Sequence, residues 1–398
     1  MPRREAALAS RLCYGVLQNR MLLDFWIAAF AKGKLQPVVR DILRIGVYQF
    51  RFMDKIPASA AVNEAVEQAK RHANFQAARL VNGVLRAMLR EENWPQPDSL
   101  SVRYSHPQPL VDLLLEQYGA EKTERLLQCH NGETDTVLQV NTLKADLQQT
   151  ARSIEAEGGE VHAHGWLENC LTVRGAGGLE SLEAYELGWL YAQDAAAKLA
   201  VQAAGIEPGM QVLDCCAAPG GKSFAAAIAM GNRGRIISCD IHEHKLKLIQ
   251  KGAERLGLTV IQTRLQDASL PVEEWTGCMD AVLADVPCSG IGVIRKKPDI
   301  RYRDLSGRAE LMKLQGEILA QPAKYVKKNG VLVYSTCTIL QGENEDICRQ
   351  FLAEHPDFVP EEIRFPEKSG ILPACMVTLL PCDHGTDGFF ICKFRRKP

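Results

Sequence analysis

Apolar residues recur at helical spacing through the first ninety residues, as in Leu8-Leu12-Val16, Ile42-Ile45-Val47 and Leu80-Val84-Leu85-Met88. The pattern predicts an all-helical domain over residues 1–92, broken at Pro37 and Pro57, with Ser59 placed to cap a helix. Residues 93–103, with two prolines among polar neighbours, read as a linker. From Tyr104 two helical stretches precede the strand-like TVLQVNTLK, the helical DLQQTARSIEAEG, and short strands at Glu160–His164 and Cys170–Val173. That order predicts a small α+β module over 104–190. Beyond it, short apolar runs alternate regularly with helical patterns. VLD precedes a helix at 222–230, RIISCD one at 242–257, MDAVLADVP one at 306–328 and GVLVYSTC one at 343–354. Such alternation predicts a mostly parallel, doubly wound α/β sheet over 191–398, closed by an antiparallel pair near the carboxyl terminus.

Ligands of doubly wound sheets bind beyond the carboxyl ends of the strands. Asp214, Asp240, Asp267, Asp285 and Cys337 stand at those ends. After the first strand the chain reads Cys216-Ala217-Ala218-Pro219-Gly220-Gly221-Lys222, a glycine turn that opens a helix. Glycines admit close backbone approach, and a helix start favours an anionic group. The turn has neither the GxGxxG spacing of a dinucleotide site nor the Walker spacing of a triphosphate site. Asp240 is placed to take the ribose hydroxyls of a nucleoside and Asp267 to meet an adenine edge. A nucleoside without a pyrophosphate suits S-adenosylmethionine, with nicotinamide binding as the alternative.

Charge alters the picture locally. The whole chain carries a net charge of −1, yet residues 1–90 hold fifteen Lys and Arg against six Asp and Glu. That surplus is the footprint of a phosphate-backbone binder. Thirteen cysteines show no CxxC pair and no zinc spacing, so reduced thiols, no metal site and a cytoplasmic protein are expected. No apolar run is long enough to span a membrane, and the basic start lacks the apolar core of a signal peptide.

Two cysteines at adjacent strand ends, Cys288 in DVPCSG and Cys337 in YSTCT, can meet over one substrate. Carbon 5 of a pyrimidine is a poor nucleophile until a thiolate adds at carbon 6, which makes the ring enamine-like and able to take a methyl group. A base must then remove the carbon 5 proton so that the thiol can leave.

The residues carry a family resemblance as well. RDILRIGVYQFRFMDKIPASAAVNEAVEQAK and ARLVNGVLR resemble the NusB-like helical RNA-binding domain. A full domain of that kind implies one or two further helices before Ala6, so either the sequence starts inside the domain or the domain is abbreviated, and a shortened first domain is expected. VNTLKAD and GWLYAQDAAAKLA resemble the small ferredoxin-like module of Sun/RsmB-type methyltransferases. CCAAPGGKS, DVPCSGIGVIRKKPDIRYR, YSTCTILQGENE and DGFF, in that order, are similar to the Sun/RsmB family of RNA 5-cytosine methyltransferases.

The resemblance implies a Rossmann-like methyltransferase domain behind a ferredoxin-like and a NusB-like domain. Its expected activity is methylation of carbon 5 of a cytosine in 16S ribosomal RNA. It makes Cys337 the nucleophile and Cys288 the residue that assists breakdown of the adduct. DNA 5-cytosine methyltransferases use the Pro-Cys cysteine, which would reverse the pair. Asp285 is expected at the cytosine N3 and amino edge, and Cys216–Lys222, Asp240, Asp267 and Asp285 around S-adenosylmethionine. Where the family commonly reads DAPC, this chain reads DVPC. Arg295, Lys296, Lys297, Arg301 and Arg303, with Tyr302 among them, suit a single-stranded RNA track. An unpaired loop cytosine, a monomer and no obligate protein partner are expected. The competing reading is a non-catalytic RNA-binding factor.

Overall fold

The computed structural model describes residues 3–398, which fall into two compact units, 3–132 with 296–303, and 133–295 with 304–398. Met1 and Pro2, the first positions of the expected helical domain, lie outside the described residues.

The first unit is helical: α1 (Arg3–Gln18), α2 (Arg20–Phe30), α3 (Pro37–Phe52), α4 (Ala58–His72), α5 (Phe75–Arg90), the single turn α6 (Leu100–Arg103) and α7 (Gln108–His130). Leu23, Leu43, Val47, Val81, Leu85 and Met88 are wholly buried where their 3.6-residue stripes converge. Pro37 opens α3 at a position whose N–H would have no helical partner. Ser59 does not cap α4, because Pro57 holds the cap position and Ser59 falls inside the helix. Asn74 caps α5, accepting from the Ala77 N–H at 2.9 Å. Part of the expected linker is pinned down. Trp94 packs edge-on against Trp26 at 4.9 Å, and the Trp26 indole donates to the Pro95 carbonyl at 3.0 Å.

In the second unit, β1 (Thr136–Val140), α8 (Leu147–Ala156), β2 (Glu160–Ala163), β3 (Cys170–Arg174), α9 (Glu183–Glu186) and β4 (Leu190–Ala192) build an antiparallel sheet of order β2-β3-β1-β4. Leu138, Val140, Ile154, Leu171 and Leu190 fill the space between sheet and helix. The larger layer follows: α10 (Ala195–Ala203), β5 (Gln211–Asp214), α11 (Gly221–Ala229), β6 (Arg235–Asp240), α12 (Glu243–Leu256), β7 (Ile261–Leu265), β8 (Met279–Asp285), α13 (Arg308–Ala323), β9 (Val326–Thr336), α14 (Glu345–Glu354), β10 (Phe358–Pro360), β11 (Met376–Leu379), α15 (Pro381–His384) and β12 (Phe389–Arg396).

This sheet runs β10-β12-β9-β8-β5-β6-β7, with β11 on β12. Strands β7, β6, β5, β8 and β9 are parallel, and β12 closes antiparallel on β9. The central strand β8 is apolar and buried from Ala281 to Ala284, as covering both faces of a parallel sheet demands. The helix expected through residue 328 ends at Ala323, and the chain re-enters the sheet early. Val326 pairs with Met279, and a bulge then brings Val331 opposite Ala281. Among the described residues no helix is long and apolar enough to cross a membrane, and no cluster of His, Cys, Asp and Glu could hold a metal.

Candidate active site at the carboxyl ends of the parallel strands

Parallel register aligns the carboxyl ends of five strands, and the residues there are polar. Asp214 ends β5, Asp240 ends β6, Asp267 lies two residues past β7, Asp285 ends β8 and Cys337 follows β9. The turn after β5 is tied into the sheet by two N–H groups. Cys215 donates to the Leu283 carbonyl at 3.0 Å and Ala217 to the Cys239 carbonyl at 2.7 Å. Gly220 then takes φ +112°, a conformation side chains strain to adopt, and α11 begins at the next residue. Cys216, Ala218, Gly221 and Lys222 stay partly exposed, Pro219 is exposed, and Ala217 is buried.

Asp240 accepts from the His242 N–H at 2.9 Å through Oδ1, which fixes the carboxylate. Asp267 is exposed, its Oδ1 accepting from the Ser269 N–H and hydroxyl at 2.9 and 2.6 Å. Ile241 and Leu265, beside these two acids, are more than half exposed. An anion-tolerant helix start, a fixed acid and apolar walls fit the carboxylate, ribose and adenine of S-adenosylmethionine. Asp214, wholly buried, braces the turn from below by accepting from Ser223 Oγ at 2.7 Å.

The two predicted cysteines meet. Cys288 Sγ and Cys337 Sγ are 3.2 Å apart, and both residues are partly exposed. Hydrogen bonding to Cys337, then burial, then the fields of Glu343 and Asp285 hold the Cys288 thiol well above its ordinary range. Beside them Asp285 has both oxygens engaged. Lys222 Nζ lies 2.6 Å from Oδ2, and Ser335 Oγ donates to Oδ1 at 2.8 Å. Burial draws the Lys222 ammonium down, but Asp285, with help from Asp214 and Cys337, more than offsets it and raises it. Carboxylates thus act on the Cys288 side, while a cation lies within the field of Cys337.

Loops outside the parallel strands hold this pair. The Gly292 N–H donates to the Cys337 carbonyl at 3.0 Å, and the Gly388 N–H donates to the Gly292 carbonyl at 2.8 Å. The closing DGFF therefore buttresses the Cys337 turn. Ser335, Gly292, Gly388 and Glu343 had no individual role from sequence. Their signal was their place inside the quoted motifs, and motifs do not say which side chain touches which.

The basic run divides. Arg295 and Lys296 are partly exposed, while Lys297 and Arg303 are exposed. Arg301 corrects the expected RNA track, because it is only 1% exposed. Its Nη1 donates to the Gln18 carbonyl and to Asn131 Oδ1, each at 2.8 Å, and its guanidinium also reaches the carbonyls of Tyr104, Ser105 and His130. Tyr302 donates to the Leu17 carbonyl at 2.9 Å, with the Arg20 guanidinium 3.8 Å above its ring. Arg301 gathers carbonyls at the ends of α1 and α7, where partial negative charge collects, and serves as an internal strut of the first unit.

Comparison with known proteins agrees with this geometry. Residues 202–395 match the family model for 16S rRNA methyltransferase RsmB/F, residues 1–90 the NusB family, and residues 106–180 the ferredoxin-like domain of RsmF/B-like methyltransferases. A probable ribosomal RNA small subunit methyltransferase B of Bacillus subtilis is 39% identical, the alignment covering 98% of this chain and 90% of the relative. Ribosomal RNA small subunit methyltransferase B of Vibrio cholerae is 34% identical, over 97% of this chain and 88% of its own. The crystal structure of PH0851 superposes with a TM-score of 0.83 at 26% identity, covering 98% of this chain and 90% of that one. A helical NusB-type region, a ferredoxin-like sheet and a Rossmann-like sheet with its strand-end acids and paired thiols occur here in the same order along one chain, which belongs to the RsmB/F family of 16S rRNA methyltransferases.

Proposed function

We propose that the protein methylates carbon 5 of one cytosine in an unpaired loop of 16S ribosomal RNA, through a covalent bond between Cys337 and the base. The observation that carries this reading is the Cys288–Cys337 pair, 3.2 Å apart beside an Asp285 locked by Lys222 and Ser335. The Cys337 thiolate adds to ring carbon 6, and the ring nitrogen N3 gains a proton at the Asp285 edge. Cys216–Lys222, Asp240 and Asp267 would hold S-adenosylmethionine. Carbon 5 would take its methyl group as the methyl–sulfur bond breaks and S-adenosylhomocysteine leaves, and N3 then returns its proton at the Asp285 edge. The carbon 5 proton then leaves towards Cys288. Its electron pair restores the ring double bond, the carbon–sulfur bond breaks, and Cys337 returns as thiolate.

Lys222 serves twice, fixing Asp285 and placing positive charge near Cys337, where a thiolate must form. Exposed Lys297 and Arg303, with Arg295 and Lys296, supply phosphate contacts. We further propose three functional parts, 1–92, 104–190 and 191–398, acting in a cytoplasmic monomer without an obligate protein partner.

Incubation with 16S rRNA and tritiated S-adenosylmethionine, read by label transfer and by a denaturing gel, tests the chemistry. Cys337→Ala should abolish both label and adduct, and Cys288→Ala should accumulate enzyme–RNA adduct. The opposite pair of gels would reverse the two roles. Binding of RNA with no transfer by the wild type would favour a non-catalytic RNA-binding factor.

A further inference from the structure

Glu343, in the QGENE stretch after β9, is a fully buried carboxylate lying outside both the cofactor turn and the cysteine pair. Its Oε2 accepts the Ser289 N–H at 2.8 Å and Gln315 Nε2 at 3.0 Å. Gln315, equally buried on α13, also donates to the Pro287 carbonyl at 3.0 Å. The residues on either side of Cys288 are therefore held by one carboxylate–amide couple. The same carboxylate is anchored from its own backbone, where the Glu343 carbonyl accepts Tyr334 Oη at 2.6 Å.

The next residue ties in the opposite loop. Asn344 Nδ2 donates to the Thr338 carbonyl at 3.0 Å, and Asn344 Oδ1 accepts Thr336 Oγ1 at 2.6 Å. Ser289 Oγ and Thr338 Oγ1 lie 2.8 Å apart between the two loops. A buried carboxylate is costly unless its position is needed, and a hydrophobic residue of like volume would serve packing alone.

We propose that Glu343, working through Ser289 and Gln315, is the positioning residue that sets Cys288 for the breakdown of the covalent adduct. This rests on the reading that Cys337 attacks and Cys288 resolves. Adduct formation needs the Cys337 sulfur at carbon 6, which the β9 end, Gly292 and Asn344 hold without Glu343's carboxylate. Resolution needs the Cys288 sulfur near the carbon 5 proton, and its loop is fixed at Pro287 and Ser289 by Glu343 and Gln315. Displacing a reacting group by about 1 Å can cost on the order of 100-fold in rate. Loss of Glu343 therefore slows release selectively.

The full chain is tested with 16S rRNA and S-adenosylmethionine, following adduct formation and decay on denaturing gels. Cys288→Ala and Cys337→Ala run alongside. In Glu343→Ala, adduct should form within about threefold of the wild-type rate and decay about 10-fold or more slowly. Glu343→Gln keeps an acceptor for the Ser289 N–H and should restore decay to within about threefold. Gln315→Leu should slow decay in the same direction, and it decides the matter if Glu343→Ala does not fold. A merely structural role would lower formation and decay together, along with the melting temperature. If Cys288→Ala traps adduct while Glu343→Ala decays at the wild-type rate, or forms no adduct, the positioning role is wrong. If Cys288→Ala itself fails to trap, the underlying assignment of the cysteines falls instead.

Discussion

At the scale of single residues, the buried acid beneath the cofactor turn makes stability depend on pH. Burial lifts the Asp214 carboxyl from 3.8 to about 6, opposed by the Ser223 hydrogen bond and the Lys222 charge. In the unfolded chain the same group ionises near its ordinary value of about 3.9. The folded protein therefore binds this proton more tightly, and stability from this site falls as pH rises between those two values. Two pKa units correspond to about 3 kcal/mol. Asp214→Asn removes the titration while keeping an oxygen for Ser223. Urea unfolding from pH 4 to 7 should show the wild type losing about 2–3 kcal/mol relative to the variant, most of it below pH 6. Parallel curves for the two proteins would mean that Asp214 ionises normally in the fold.

Elements give a sharper contrast between what a sequence displays and what only packing reveals. The strand-end residues Asp214, Asp240, Asp285 and Cys337 were legible because alternation fixes where a strand stops, and a parallel sheet sends every carboxyl end to one edge. The all-helical first region and the ferredoxin-like module were legible from period and motif. Arg301 was not, because a basic run next to Cys288 looks the same whether its side chains face solvent or a ring of carbonyls. Glu343 was hidden for a related reason, since the three residues that donate to it, Ser289, Gln315 and Tyr334, are spread along the chain. The crossing of two loops was hidden too. A Cβ on Gly292 would lie 1.9 Å from the Gly388 carbonyl oxygen and 2.8 Å from that of Cys337. Gly292→Ala must push the DGFF segment and the Cys337 turn apart, so methyl transfer should fall by about 10-fold or more. At Gly316 on α13 a Cβ would meet nothing within 4 Å beyond its chain neighbours and its own helix backbone. Gly316→Ala should leave turnover unchanged and add about 0.5–1 kcal/mol in urea unfolding. Equal activity in both variants would show that the loop crossing tolerates displacement.

The whole molecule is nearly neutral, with a net charge of −1, but its charge is segregated, and RNA affinity should follow the segregation. Arg71, Arg79, Arg86 and Arg90 are all exposed on α4 and α5 of the first unit, as are Lys297 and Arg303 of the 296–303 segment. Each phosphate contact releases condensed counterions, so removing one lowers the slope of log K against log salt by about 0.7 on single-stranded RNA and about 0.9 on a duplex. Arg71, Arg79, Arg86 and Arg90 changed together to Ala should flatten the slope measured by fluorescence anisotropy with a 16S rRNA fragment, as should Lys297→Ala with Arg303→Ala. Neither set should change S-adenosylmethionine affinity. Arg301→Ala provides the internal contrast. It strips a buried cation from carbonyls at two helix ends, at a cost of about 3 kcal/mol of unfolding free energy. At a temperature where the variant stays folded, its salt slope should equal the wild type's, because this guanidinium faces carbonyls of its own unit. A slope reduced in Arg301→Ala as much as in the exposed set would mean that the strut opens and meets RNA.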